Sequence, residues 1–159
     1  MKKTGLPPQK KIPRAALVPA FILLAGTLWG QSPAPADPES PAHLVGLTLN
    51  EVIGRFGVPR GVYAVRGGEE WQDDVVFSYG DRDFYFYRDR VWQIAVKAAF
   101  GVRVGENRNV IPLVMGEAAL VEEGYTLAPL AGWSWPMNVR FNNDNRGLVT
   151  AIYIYRSDF

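Results

Sequence analysis

The sequence predicts an α+β fold: two tandem repeats, each a short helix followed by an antiparallel sheet of about four strands, behind an N-terminal signal or anchor helix. Three observations carry this. The segment Gly46 to Gly57 reappears in degraded form as Gly105 to Gly116, with Asn50 on Asn109, Val52 on Ile111 and Phe56 on Met115. Each copy leads into stretches where apolar and polar residues alternate, the pattern of half-buried strands. A basic N-terminus runs into a short apolar segment. The expected division is 1–30 signal peptide or anchor, 31–41 linker, 42–98 first repeat and 99–159 second repeat.

Residues Lys2, Lys3, Lys10, Lys11 and Arg14 form a charged leader without an acid, and the apolar run Ala15 to Trp29 follows. That run is short of the about 20 residues a membrane span needs, and Pro19 interrupts it. The expectation is export to the periplasm or beyond, with an uncleaved inner-membrane anchor as the alternative. Gln31 to Pro41, with four prolines, reads as an extended linker.

Thr48 to Phe56 is the clearest helix. Thr48 is a good N-cap and Glu51 completes a capping box. Leu49, Val52, Ile53 and Phe56 make one apolar stripe. Gly57 and Pro59 end it. Strands are expected at Gly61 to Arg66, Asp74 to Tyr79, Phe84 to Tyr87 and Val91 to Lys97. On the last of these, Trp92, Ile94 and Val96 are placed on one face and Gln93 and Lys97 on the other. In the second copy Pro112 falls inside the helix, at a cost of about 3 kcal/mol in a helix interior. A helix from Pro112 to before Gly124 competes with the repeat, because proline suits a first turn. Further strands are expected at Tyr125 to Leu130, Met137 to Asn142 and Leu148 to Tyr155.

The capped helix ending in Gly57-Val58-Pro59, followed by an antiparallel sheet, resembles the BamE/SmpA-like outer-membrane assembly lipoproteins. Two such units in tandem resemble the β-lactamase-inhibitor-protein-like fold. The matching residues are Gly46, Thr48, Val52, Phe56, Gly57 and Pro59, then Gly105, Ile111, Met115 and Gly116. Ser78 to Asp81 and Phe84 to Tyr87 are similar to the inhibitor's first hairpin, where an aspartate after glycine enters an enzyme site. The resemblance implies a scaffold for protein contacts. The chain departs from both patterns in having no cysteine, which removes lipidation and disulfides alike.

Composition bounds the chemistry. At 48 % apolar and 21 % charged residues the chain is globular rather than disordered. Beyond the leader, 12 basic residues stand against 16 acidic ones, which argues against nucleic acid as a partner. The lone histidine, His43, has neither the companions for a metal site nor a nucleophile motif. No catalytic residue, cofactor or metal is expected. The Asn142 to Gly147 stretch fails as a calcium loop, since Arg146 and Tyr153 stand at ligand positions.

The candidate binding residues are Trp71, Asp81, Asp83, Tyr85, Tyr87, Trp133, Trp135, Tyr153 and Tyr155. They pair exposed aromatics, the residue type of interface hot spots, with turn carboxylates. Trp133, Trp135, Tyr153 and Tyr155 are read together as an aromatic platform, while Trp92, Phe77 and Ile154 are assigned to the core. The expected function is a non-enzymatic envelope scaffold that binds another envelope or secreted protein, in assembly or enzyme inhibition. Membrane contact is expected only through an uncleaved N-terminal segment. The alternative is a small secreted hydrolase or carbohydrate-binding module using the Glu69 to Asp74 acidic cluster and its nearby tryptophans.

Overall fold

A computed structural model of the chain describes residues 40–66, 74–116 and 119–158. The leader, most of the linker, Trp71 and the cluster residues Glu69, Glu70 and Asp73 lie outside the described residues.

Eight strands form one continuous antiparallel sheet. In chain order they are β1 (Gly61–Val65), β2 (Asp74–Ser78), β3 (Arg82–Tyr87), β4 (Arg90–Val96), β7 (Leu120–Glu122), β8 (Tyr125–Leu130), β9 (Met137–Asn143) and β10 (Val149–Arg156). Their spatial order is β1-β2-β3-β4-β10-β9-β8-β7. A short ribbon, β5 (Ala98–Ala99) with β6 (Val102–Arg103), stands apart from the sheet. Among the described residues the helical elements are α1 (Leu49–Phe56), α2 (Ile111–Met115) and two 3-10 turns, Pro41–Leu44 and Arg108–Val110.

This corrects the expected fold class of two tandem repeats, each a helix with its own sheet of about four strands. β4 pairs directly with β10, bringing Ile94 opposite Ile154 and Gln93 opposite Tyr155. The physical reason is the edge: a separate sheet ending at β4 would leave the Ile94 backbone unpaired beside a buried apolar row. Pairing the edges satisfies both and buries Ile94, Ile152 and Ile154 completely.

The second helix is reduced to five residues, preceded by the 3-10 turn that Asn107 caps. Pro112 sits within its first two positions, where a missing N–H costs nothing. Gly116 closes it, and β7 occupies the stretch that the longer competing helix required.

α1 follows its local code. The Thr48 hydroxyl accepts the Glu51 N–H at 3.2 Å, and the Glu51 carboxylate accepts the Thr48 N–H at 2.8 Å. Val52 is fully buried, and the Phe56 ring lies 5.2 Å from that of Phe84 on the sheet. The helices and the 3-10 turn at Pro41–Leu44 pack on one face of the sheet. There Phe77, Phe84, Phe86, Ile94, Val139, Phe141, Ile152 and Ile154 form the core. Gly46 joins this turn to α1 at φ +91°, with Trp135 so close beneath that an added Cβ would lie 2.8 Å from the indole.

Candidate functional site

Strand alternation sends every second side chain to the other face, away from the helices. Asp83 and Tyr85 on β3, Gln93 and Ala95 on β4, Tyr153 and Tyr155 on β10, and Asn138, Arg140 and Asn142 on β9 share this outer face. Register fixes their neighbours. Asp83 stands opposite Ala95, Ala95 opposite Tyr153, and Tyr153 opposite Arg140, in one row across four strands. The adjacent row runs Val76, Tyr85, Gln93, Tyr155, Asn138.

A bulge alters one expectation. The β3–β4 register shifts between Tyr85 and Phe86, leaving Trp92 unpaired in the ladder. Val91 and Ile94 are buried on the helix side, and Trp92 swings to the outer face instead of joining the core. Its indole N–H donates to the Asp74 carboxylate at 3.0 Å. Asp74 is only 8 % exposed, so this member of the acidic cluster is a buried acceptor at the start of β2.

The outer face holds a depression of about 470 Å³ lined by Val65, Tyr85, Trp92, Gln93, Arg140, Asn142, Tyr153 and Tyr155. A second, of about 350 Å³, lies toward the β2–β3 turn and shares Tyr85 and Tyr153 with the first. Asp81, Asp83 and Lys97 line that end. The phenol of Tyr85 is pushed up to about 12, by burial first and then by Tyr153, Tyr63, Asp83 and Asp74 around it. Tyr63 donates to Asp83 at 3.3 Å; burial and this carboxylate raise its phenol.

The structure therefore unites Asp83, Tyr85, Tyr153 and Tyr155, with Tyr87 farther along β3 beneath the Arg88 guanidinium. Asp81 projects from the β2–β3 turn, its side chain 62 % exposed and paired with Arg82 at 2.7 Å. The Arg82 hydrogen bond holds the Asp81 carboxyl below its usual range. Trp133 and Trp135 lie elsewhere. They pack against the core cluster on the helix side, Trp133 edge-on to His43 at 4.6 Å and Trp135 beneath Arg156 at 4.9 Å. The four-aromatic platform is thus split between two faces, because Ile152 and Ile154 turn the intervening tyrosines outward. Tyr63, Trp92, Gln93, Arg140 and Asn142 were missed. The alternation of Asn138, Arg140 and Asn142 with Met137, Val139 and Phe141 carried the signal for two of them.

The Asn142 to Gly147 turn is occupied by its own contacts. Asp144 accepts the Arg146 and Leu148 N–H groups at 3.0 and 2.9 Å, so this carboxylate closes its own turn. Among the described residues no group of three His, Cys, Asp or Glu side chains could hold a metal ion. Also among them, no helix is long and apolar enough to cross a membrane.

No family model matches the sequence, and no curated protein does. Among solved structures, the chain is similar to a cysteine-rich secretory protein from Staphylococcus aureus subsp. aureus Mu50. The TM-score is 0.49 at 11 % identity, over 78 % of this chain and 48 % of that one. It is similar to an extracellular protein containing an SCP domain from Bacillus anthracis str. Ames, with TM-score 0.49 and 8 % identity, over 80 % of this chain and 49 % of that one. The chain spans about half the length of each.

Proposed function

We propose that this chain is an exported, non-enzymatic cell-envelope protein that binds another protein through the outer face of its sheet. The observation that carries the reading is that face itself. Among the described residues the helices pack on one side, and the other presents Tyr63, Tyr85, Tyr153, Tyr155 and Trp92 around Arg140 and Asn142. Tyr, Trp and Arg are the residue types that dominate binding energy at protein interfaces. Tyrosine with asparagine also gives adaptable contact at low entropic cost. Export is supported by the basic leader and apolar run of the sequence. What weighs against a hydrolase is that Asp74, the described member of the acidic cluster, is buried and bonded to Trp92.

The test is site-specific photocrosslinking in intact cells. A photoreactive phenylalanine analogue replaces Tyr155 on the outer face or Leu113, which is 84 % exposed on α2. Protein adducts from position 155 and none from 113 are expected. Adducts from 113 alone would move the interface to the helix side, and none from either would remove the protein-binding reading. Intact mass of the purified protein checks export: loss of the leader is expected, and retention of Met1 in the membrane fraction would make it an anchor.

A further inference from the structure

On the reading that the outer face binds protein, we propose that Arg140 is the receptor for an aspartate or glutamate side chain on a projecting loop of the partner. Arg140 is half-buried at the rim of the aromatic depression. Two contacts fix its orientation. Its Nε donates to Asn142 Oδ1 at 2.8 Å, and its guanidinium stacks 4.1 Å over the Tyr125 ring. Both contacts leave the two terminal nitrogens of the fork without a partner among the described residues.

Among the described residues no carboxylate forms an ion pair with Arg140. Arg82, Arg146 and Arg156 each pair with an aspartate, Asp81, Asp144 and Asp158. Asp74 holds the Trp92 indole, and Asp83 receives the Tyr63 hydroxyl. Asp83 shares the row of Arg140, but three strand spacings of about 4.8 Å put it roughly 14 Å away.

A guanidinium held on its Nε edge and one ring face presents the rest of a planar fork. That fork matches a carboxylate bidentately. Tyr85, Trp92, Tyr153 and Tyr155 line the same depression, and covering them with a partner excludes water and strengthens the ion pair. A depression of about 470 Å³ across several strands fits side chains of a convex loop. Charge complementarity then selects an acidic residue at the loop's centre, with apolar or aromatic neighbours.

The experiment uses the full chain as target and a phage-displayed library of disulfide-closed random loops as probe. Recovered loops are rebound to Arg140→Gln, Arg108→Gln and Tyr153→Ser proteins whose melting curves match the wild type. Asp or Glu is expected to recur in the recovered loops. Arg140→Gln should weaken them about tenfold or more, and Arg108→Gln should leave them unchanged. Changing the loop's acid to its amide should give the same loss, with no further loss on the Arg140→Gln protein. Loops that need Tyr153 but carry no acid and ignore Arg140→Gln would overturn the carboxylate assignment and leave the binding face standing. Loops indifferent to both changes would sink both readings. Binding of a polyuronate oligosaccharide that Arg140→Gln abolishes, with no loop recovered, would transfer the site to carbohydrate and overturn the proposal.

Discussion

Ile154→Ala is the sharpest test of one sheet against two. Ile154 is fully buried on β10, opposite Ile94 of β4 on one side and Val139 of β9 on the other. The substitution removes three buried carbon groups. At about 0.8 kcal/mol each, the transfer loss is about 2.4 kcal/mol. A cavity that fails to collapse raises this toward about 4 kcal/mol, within the range seen for Ile→Ala in cores. Because the β4–β10 pair joins the two halves, the loss should appear as one cooperative shift. The assay is urea unfolding followed by tryptophan fluorescence and far-UV circular dichroism. Both probes should give a single coincident transition, moved to lower urea with an unchanged slope. A loss under about 1 kcal/mol would contradict the burial argument. Two separated transitions would refute the continuous core.

Gly46→Ala should cost at least about 2 kcal/mol, since alanine is strained at φ +91° and its Cβ would strike Trp135; an unchanged melting temperature would dismiss that contact. Thr48→Ala should cost about 1 kcal/mol at neutral pH. The Thr48 N–H, then its hydroxyl, depress the Glu51 carboxyl, so its contribution is present above the unfolded pKa and lost as pH falls through the folded value. The gap between wild type and variant should therefore narrow below about pH 4.3, and urea midpoints that keep a constant gap would exclude the capping box. Absorbance titration of wild type minus Tyr85→Phe should show no phenol ionising at the ordinary value of about 10. With its folded value raised to about 12, the contribution of Tyr85 is complete below the unfolded pKa and lost as pH rises through the folded one. Asp81→Ala should leave the melting curve unchanged, because its exposed carboxylate pairs only with neighbouring Arg82, and should weaken partner capture if the turn joins the interface.

Local signals were legible wherever one residue type decides one geometry. The Thr48–Glu51 box announced α1, and the alternation of Ile152 and Ile154 with Tyr153 and Tyr155 located β10 and both its faces. What escaped was long-range. Ile94 and Ile154 look alike whether each closes its own sheet or they meet, since alternation specifies a face and not a neighbour. The Trp92 bulge was equally hidden, because an extra residue in one strand shows only against its partner's register. The candidate site suffered most from this. Tyr85 and Tyr155 stood out as candidate binding aromatics, but Phe84 to Tyr87 is aromatic on both faces, and the joining of β4 to β10 is what sets the two tyrosines beside Arg140. Trp133 and Trp135 look like surface aromatics in a Pro- and Gly-rich loop, and only the close approach of Gly46 shows Trp135 to be a floor tile under a turn.

The position of β10 in the middle of the sheet has a kinetic consequence. It comes after the other described strands in chain order, yet β4 and β9 both pair with it. During synthesis β1 to β4 can assemble early as consecutive hairpins, but the β4 edge and the apolar side of Ile94 stay open until β10 arrives. Closure joins residues far apart in sequence, the kind of contact that slows folding and lengthens exposure of sticky intermediates. A chain stalled before β10 would carry an unpaired edge at the centre of its future core.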